Sequence, residues 1–296
     1  MDLNDLSAFM TVVRAGGFRD GARLTGQSPS GLSEAVRRLE ARLGTRLINR
    51  TTRSIAPTEA GARLFERLAP ALGEVEAALD VVNAFRERPT GTLKLNVPGS
   101  VAVLVLPAIV PDFLKAYPDI RLEVVVEEGF VDVLAAGCDA GVRYDERLEQ
   151  DMIAVPIGPR IQRMATAAAP AYLAARGKPE HPRDLLGHAC LKGRFASGAS
   201  PPWEFERDGE IIKIDPAGPL EVRVGAGSDL IVDAAIAGLG IVHHFEAWLR
   251  AALDSGALVP VLEPWWQEFS GPFLYYPGRR HLPAPLRAFV DFIKSK

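Results

Sequence analysis

Residues 28–44 read SPSGLSEAVRRLEARLG. Serine is a good helix N-cap and proline is tolerated at the first helical position, so this stretch predicts a helix that begins at Ser28-Pro29 and ends at Gly44. Its apolar residues recur at helical spacing and are expected to form a buried face: Leu32, Ala35, Val36, Leu39 and Leu43. The remaining face is polar, basic and open to a partner, and carries Ser30, Ser33, Glu34, Arg37 and Arg38.

Two shorter helices are predicted before this one. The spacing of Leu6, Phe9, Met10 and Val13 indicates a first helix that ends at Gly16-Gly17, and residues 19–24 form a second. A helix pair joined by a short turn, with a polar and basic outer face on the second member, fits the major groove of DNA. The residues expected at the groove are Ser28, Pro29, Ser30, Ser33 and Arg37.

A β-prone stretch, residues 46–55, follows and is bounded by Pro57. We interpret it as a wing. Its Arg50 and Arg53 are expected to reach phosphates or the adjacent minor groove, where the negative potential favours arginine.

Positive charge is concentrated in this region. Residues 1–68 hold 11 Arg and 7 Asp or Glu, for a net charge of +4, so the remainder of this chain of net charge −3 carries −7. Six of the arginines lie between Arg37 and Arg53, with Glu40 as the one acid among them. Such a cluster indicates a polyanion partner, and a merely solvated charged face is the alternative.

The run ARLGTRLINRTTR at residues 41–53, followed by PTEAG at 57–61, resembles the winged helix-turn-helix of the LysR-type transcriptional regulators. The segment AGLGI at residues 237–241 is similar to the effector-binding domain of that family, so the resemblance covers the whole chain. Gly31 and Glu34 differ from the residues usual in the recognition helix of this family. These two differences bear on which DNA sequence is recognised and not on whether DNA is bound. The resemblance implies a homodimer or homotetramer, double-stranded DNA and a small-molecule effector as partners.

A heptad pattern marks the next segment. Residues at alternating spacings of four and three form an apolar seam: Leu64, Leu68, Ala71, Val75, Ala78, Val82 and Phe85. The seam predicts a helix, capped by Thr58 and kinked around 67–70 by Pro70, that pairs with a second copy. An amphipathic helix lying on its own domain is the alternative. By resemblance, it is the linker helix through which LysR-type proteins dimerise.

From Gly91 the pattern alternates strands and helices, which predicts α/β architecture with parallel sheets. Expected helices cover 101–117, where Pro107 could introduce a bend, 131–136, 170–176, 229–237 and 285–294. A hairpin over 203–214 is expected to turn at Asp208-Gly209. Two lobes follow, joined by crossovers near 157–161 and 263–270. The predicted domains are a winged helix-turn-helix over 1–60, a linker over 61–90 and a two-lobed, periplasmic-binding-like effector domain over 91–296. Its lobe I covers about 91–161 and 267–296, and its lobe II about 162–266.

Ligands bind α/β sheets beyond the carboxyl ends of strands, at helix N-termini that favour anions. Ser100, with the amides of Val101 and Ala102, is expected to face Ser228 across the cleft, although each serine is also explained as a plain N-cap. Arg143 either completes a carboxylate site or makes a structural ion pair. Further candidate effector residues are Glu128, Phe195 and His243.

Other functions are disfavoured by what the sequence contains. Its 48% hydrophobic and 24% charged residues exclude a disordered chain. Cys138 and Cys190 form neither a disulfide framework nor a zinc pattern, and the N-terminus lacks a secretory signal, so a cytoplasmic protein without a membrane span is expected. His243 and His244 are adjacent in a strand and face opposite ways, which argues against a metal site.

No cofactor motif or activated nucleophile stands out, so an enzyme is the least favoured class, and Trp265-Trp266 indicates apolar burial more than base stacking. The sequence therefore predicts a DNA-binding regulator that responds to a small anionic metabolite. A small-molecule binding protein without a DNA role is the alternative.

Overall fold

The computed structural model describes residues 2–50, 55–83, 89–128, 137–144, 152–195, 198, 200–223, 227–278 and 282–296. The chain forms two compact units, Met1–Glu87 with His281–Ala284 and Arg88–Arg280 with Pro285–Lys296. No single helix among the described residues is long and apolar enough to cross a membrane. The segments Gly99–Ala108 and Val110–Ala116 together have the necessary length and apolar composition, but the pair is bent by 52°.

The first unit begins with three helices, α1 (Leu3–Arg14), α2 (Phe18–Thr25) and α3 (Pro29–Leu43). The predicted start of α3 is confirmed, because the Ser28 hydroxyl accepts a hydrogen bond from the Gly31 amide at 3.0 Å. Its end is confirmed as well, since Gly44 has a φ of 64°, a left-handed conformation that glycine adopts without strain.

The buried face of α3 packs on α1. Leu32, Val36 and Leu39 are almost fully buried and pack in one cluster with Phe9. Leu43 is 39% exposed, so its predicted place in the core is wrong. Leu43 is the last residue of α3, and the earlier turns of α3 are the ones that pack against α1 and α2.

The predicted wing is a two-stranded antiparallel sheet of β1 (Ile48–Arg50) and β2 (Ile55–Pro57). Glu40 of α3 anchors it, because Oε1 accepts hydrogen bonds from the amides of Leu47 at 2.8 Å and Ile48 at 3.1 Å. The single acid of the arginine-rich run therefore has a structural role. Arg53 and the rest of 51–54 lie outside the described residues.

Helix α4 (Glu59–Asn83) follows and spans Pro70 without interruption. Thr58 caps it as predicted, with its hydroxyl accepting from the Gly61 amide at 3.0 Å. Gly61 also allows close packing, since a Cβ atom there would lie 2.0 Å from the Leu47 carbonyl oxygen.

The predicted seam of α4 divides into two parts. Leu64 and Leu68 pack against the core of their own unit, so the alternative of a helix lying on its own domain holds for these two turns. Val75, one turn past Pro70, is 48% exposed. The side chains of Ala78 and Val82, and the whole of Phe85, lie outside the described residues. The early part of the seam therefore packs on the core of the first unit, with both leucines half-buried.

The second unit contains the remaining strands and helices. The strands are β3 (Gly91–Val97), β4 (Ile120–Val126), β5 (Ala140–Arg143), β6 (Met152–Pro156), β7 (Ile161–Ala168), β8 (Cys190–Arg194), β9 (Trp203–Arg207), β10 (Glu210–Ile214), β11 (Glu221–Arg223), β12 (Ile241–Phe245), β13 (Val259–Val261), β14 (Glu268–Ser270) and β15 (Phe273–Pro277). The helices are α5 (Gly99–Leu104), α6 (Val110–Ala116), α7 (Pro170–Arg176), α8 (Ser228–Ile236), α9 (Glu246–Asp254) and α10 (Ala284–Lys294). Short 3-10 helices cover Leu106–Ala108, Pro182–Gly187 and Glu263–Trp265.

Two sheets define two lobes. Lobe I is built on the order β4-β3-β5-β15-β6, and lobe II on β11-β8-β12-β7-β13 with β14 added to β7. The sheets are mixed, so the expected parallel pairing holds only in part. β3 runs parallel to β4 and β5, whereas β15 runs antiparallel to β5 and β6. The antiparallel strands arise where the chain crosses between the lobes and returns.

The two predicted crossovers run side by side. β14 pairs antiparallel with the start of β7, and the Gly271 amide donates to the Arg160 carbonyl at 2.8 Å. The last helix returns to lobe I as predicted, since the rings of Phe113 and Phe289 meet edge to face with centroids 5.0 Å apart.

Several local predictions can be compared with the structure. The segment 101–117 is helical with the bend at Pro107 that the sequence allowed, and it forms two helices, α5 and α6, separated there by a 3-10 turn. The hairpin is confirmed, with Asp208 and Gly209 both at positive φ, and so is burial of Trp265 and Trp266. The helix expected over 131–136 lies outside the described residues.

Candidate functional site

The outer face of α3 is exposed where the sequence predicts contacts with DNA. Ser28, Pro29, Ser30 and Arg37 are exposed, and Ser33 is half-buried. The hydroxyls of Ser28 and Ser30 lie 3.1 Å apart at the start of the helix. This end of α3 therefore presents two hydroxyl groups and a helix N-terminus, groups that suit phosphate or base edges.

Neighbouring arginines on α3 have different environments. Arg37 lies on the exposed face and its Nη1 is 3.5 Å from Glu34 Oε2, one turn earlier. Arg38 Nη2 donates to Asp5 Oδ1 at 2.7 Å, and Asp5 is buried. Arg38 is exposed, so its predicted place outside the buried face is confirmed, and it also joins α3 to α1. Hydrogen bonding to Asp5 also raises the pKa of Arg38.

The wing arginines are described only in part. Arg50 ends β1, and its side chain lies outside the described residues, as does the whole of Arg53.

A cavity of about 370 Å³ lies in the second unit where the two lobes meet. Six of the seven predicted effector residues line it: Ser100, Glu128, Arg143, Phe195, Ser228 and His243. Val101 is fully buried in the core and does not line the cavity. Residues distant in the sequence are thus brought together in one concave site, the usual shape of a small-molecule site.

The N-terminus of α5 differs from the prediction. The amides of Val101 and Ala102 already donate to the Pro98 carbonyl, at 3.0 and 3.1 Å, so they are not the expected anion donors. The Gly99 amide donates to Glu128 Oε1 at 2.8 Å. A carboxylate of the chain therefore occupies this helix end, which disfavours a ligand anion at the same place.

Arg143 hydrogen-bonds to neighbouring strands of lobe I. Its Nη2 donates to Asn96 Oδ1 at 2.5 Å and its Nη1 to the Val142 carbonyl at 2.7 Å. The Asn96 side-chain amide in turn donates to Glu127 Oε2 at 2.8 Å. These hydrogen bonds orient the guanidinium on the wall of the cavity. The sequence analysis expected either a carboxylate site or a structural ion pair at Arg143 and did not foresee this network.

Ser228 is the first residue of α8 and is 4% exposed. Asp229, next in the chain, accepts a hydrogen bond from Trp248 Nε1 at 2.8 Å. The start of α8 is thereby fixed against α9, and both Ser228 and Trp248 line the cavity.

Both histidines of β12 line the cavity, with their rings against different neighbours. His243 stacks on Trp203 with centroids 5.1 Å apart, and its Nδ1 lies 2.8 Å from Thr166 Oγ1. His244 lies against Trp248 with centroids 4.9 Å apart. Burial disfavours the imidazolium, which lowers the pKa of His243 to about 3 and that of His244 to about 4. Both rings are therefore neutral at physiological pH.

Tyr144 is a cavity residue that the sequence analysis missed. Its hydroxyl is buried next to the side chains of Ser100 and Gln162 but forms a hydrogen bond of normal geometry with neither, and burial raises its pKa. Trp203, Trp248 and Pro202 are further missed lining residues. The position of Tyr144 next to Arg143 at a strand end was the available signal, whereas the tryptophans reach the cavity through tertiary packing.

No group of three or more metal-ligating side chains occurs among the described residues. Cys138 and Cys190 are buried, and burial raises the pKa of both thiols, that of Cys190 to about 12. Neither thiol therefore has the lowered pKa of a reactive cysteine.

Two family models match successive parts of the chain. Residues 3–62 match the family model for bacterial regulatory helix-turn-helix proteins of the lysR family, and residues 86–296 match that for the LysR substrate binding domain.

Relatives match along the whole chain. The HTH-type transcriptional regulator YcaN of Escherichia coli K12 is 40% identical over 295 residues, covering 100% of this chain and 95% of the relative. A putative transcriptional regulator of Pseudomonas aeruginosa is 43% identical over 291 residues, with 98% and 93% covered.

Solved structures show the same architecture. The full-length virulence activator AphB of Vibrio cholerae is 25% identical with a TM-score of 0.67, covering 100% of this chain and 99% of that one. CrgA of Neisseria meningitidis is 29% identical with a TM-score of 0.59, with 100% and 98% covered. Regulators of this kind bind DNA and small-molecule effectors, form oligomers and are not enzymes. The chain therefore belongs to the LysR family of bacterial transcriptional regulators.

Proposed function

We propose that this regulator reads DNA through the exposed face of α3, with Ser28, Pro29, Ser30, Ser33 and Arg37 at the major groove and Arg50 and Arg53 on the backbone or minor groove. The observation that carries the proposal is the separation of the two faces of α3. Leu32, Val36 and Leu39 lie in the core, whereas Ser30 and Arg37 are exposed. Base contacts would give specificity, and phosphate contacts affinity.

The domain limits and assembly belong to the same proposal. The DNA-binding domain covers 1–60, the linker 61–90 and the effector domain 91–296, with lobe I at 91–161 and 267–296 and lobe II at 162–266. A homodimer or homotetramer would present two α3 helices to a pseudo-palindromic site. Because Leu64 and Leu68 pack on their own unit, the pairing part of the seam lies after Pro70.

The effector in this proposal is a small metabolite with an anionic group, bound in the cavity by Ser100, Glu128, Arg143, Phe195, Ser228 and His243. Arg143 supports an anionic group on the effector. It is the cation among the described lining residues, because both lining histidines are neutral. Val101 is not among these residues, because its amide, the group predicted to bind the effector, donates to the Pro98 carbonyl. Such an effector acts only through different affinities for two arrangements of the protein.

Salt-dependent duplex binding tests the DNA role. We expect nanomolar binding of a selected duplex that weakens steeply with added salt, and a smaller salt slope for the double variant Arg50→Ala/Arg53→Ala. Unchanged affinity and slope in that variant would contradict the wing assignment. A protein that binds metabolites but no duplex would support the alternative of a small-molecule binding protein without a DNA role.

A further inference from the structure

Two of the three charged lining residues described, Glu128 and Arg143, come from lobe I, whereas most of the apolar lining comes from lobe II. Lobe I contributes Ser100, Glu128, Arg143 and Tyr144. Lobe II contributes a mainly apolar and aromatic wall that includes Leu191, Phe195, Trp203, Ile231, Phe245 and Trp248. A ligand that matches both walls has a charged end and a large apolar body.

Strand register places Glu128 and Arg143 on either side of one strand end. β3 runs parallel to β4 on one side and to β5 on the other, with Val97 paired to Val126 and Asn96 to Gly141. Glu128 follows the end of β4 by two residues, and Arg143 ends β5. Adjacent strands lie about 4.8 Å apart, so the two side chains leave backbones separated by roughly 10 Å. Long side chains extending from these positions suit a small ligand with two opposite charges.

Glu128 and Arg143 are the charged residues of the lobe I wall in the part of the chain that the structure describes. The other described carboxylate in the lining, Glu204, pairs with Lys213 Nζ at 2.7 Å. His243 and His244 are neutral and belong to the aromatic wall. Glu128 uses Oε1 for the Gly99 amide, and its Oε2 has no hydrogen bond to any residue that the structure describes. One carboxylate oxygen can therefore accept from a ligand ammonium.

Tyr144 supplies a second polar group beside Arg143. Its hydroxyl is buried next to the side chains of Ser100 and Gln162 but forms a hydrogen bond of normal geometry with neither. A buried hydroxyl without a partner is unfavourable, and a ligand carboxylate would satisfy it.

We propose that the effector is an α-amino acid with a large apolar side chain. Its carboxylate binds at Arg143 and Tyr144, its ammonium group binds Glu128, and its side chain lies against Trp203 and Trp248. This inference rests on the proposed function, in which the cavity binds the effector, and adds the ammonium group and the apolar side chain to it.

The test is calorimetric titration of the full chain with L-leucine, L-phenylalanine and L-tryptophan, each compared with the same acid lacking the amino group. These controls are 4-methylpentanoate, 3-phenylpropanoate and 3-(indol-3-yl)propanoate. We expect at least one amino acid to bind with a Kd below about 1 mM and its control to bind about tenfold more weakly. Glu128→Gln, whose amide oxygen still accepts from Gly99, is expected to weaken amino-acid binding about tenfold and to leave the control acid unaffected.

Glu123→Gln is the matched variant, because Glu123 lies on β4 outside the cavity and should leave both titrations unchanged. The inference is overturned if none of the three amino acids binds, if the control acids bind as tightly, or if Glu128→Gln has no effect. Binding of the control acids alone, lost in Arg143→Gln, would overturn the amino-acid class and leave the proposed anionic effector intact. Duplex binding, measured on the same samples, reports separately on the DNA role.

Discussion

Arg38 Nη2 lies 2.7 Å from Oδ1 of Asp5, so the third helix of the first unit is tied to the first helix by a charged hydrogen bond at the edge of the core. Arg37, the preceding residue, is exposed as well but lies near Glu34 of its own helix and makes no hydrogen bond to α1 among the described contacts. Two adjacent arginines therefore have separable roles, one in the fold and one toward the proposed DNA partner.

Substitution of the two arginines should separate these roles. Arg37→Ala is expected to lower the salt slope of duplex binding by about 1, because one phosphate or base contact is lost, and to leave thermal stability unchanged. Arg38→Ala is expected to lower the melting temperature, because buried Asp5 loses its hydrogen-bond partner. Thermal unfolding and duplex titrations over a salt series check both. Equal effects of the two variants on both readouts would contradict the assignment.

Removing the charge of Glu34 should strengthen DNA binding. Glu34 Oε2 lies 3.5 Å from Arg37 Nη1, and its negative charge disfavours nearby phosphates. We expect Glu34→Gln to tighten binding of a non-specific duplex at low salt by about threefold, with the gain lost at high salt as charges are screened. Glu59→Gln, an exposed carboxylate paired with Arg63 on α4, is the matched control. Weaker non-specific binding by Glu34→Gln would show that this carboxylate does not face the phosphates.

Gly61 should not tolerate a methyl group. A Cβ atom there would lie 2.0 Å from the Leu47 carbonyl oxygen, and backbone cannot move aside as a flexible side chain can. We expect Gly61→Ala to destabilise the first unit by at least about 2 kcal/mol. Urea unfolding followed by a probe in residues 1–87 checks this, with Ala60→Ser at an exposed neighbouring position as control. Wild-type stability of Gly61→Ala would mean that the wing and α4 do not pack this closely.

The second unit should lose stability in mild acid. His243 and His244 have folded-state pKa values of about 3 and about 4, so both stay neutral while the unfolded chain, with an ordinary histidine pKa near 6.5, takes up protons. The free energy of unfolding therefore falls as pH drops below about 6.5, by up to about 1.4 kcal/mol per pH unit for each histidine. His243→Gln removes the contribution of one histidine and is therefore expected to reduce the pH dependence of the free energy of unfolding. Urea titrations from pH 7 to pH 4.5 measure this slope. An identical slope in the variant would contradict the neutral assignment.

Much of the fold was predictable because its signals are local. The Ser28 cap, the Gly44 end of α3 and the Asp208-Gly209 turn each depend on residues within a few positions, and all three are confirmed. Sheet direction was not predictable in the same way. The antiparallel course of β15 depends on where the chain crosses between lobes, which strand alternation does not encode.

The candidate cavity shows the same limit. Strand-end positions pointed to Ser100, Glu128 and Arg143, all of which line it. The Glu128 hydrogen bond to Gly99 and the approach of Trp203 and Trp248 arise from tertiary packing between distant segments. Contacts between segments that are distant in the sequence produce no local pattern, so the sequence did not predict them.

Selection of duplexes from a random pool, followed by footprinting of the bound DNA, tests the role of α3 most directly. The account predicts enrichment of a pseudo-palindrome whose half-sites are about one helical turn, ~34 Å, or a multiple of it apart. It further predicts that Ser30→Ala/Ser33→Ala, with the Ser28 cap intact, changes the enriched bases in both half-sites. Failure to enrich any motif, or recovery of the same motif at the same affinity by this variant and by Arg37→Ala, would contradict it.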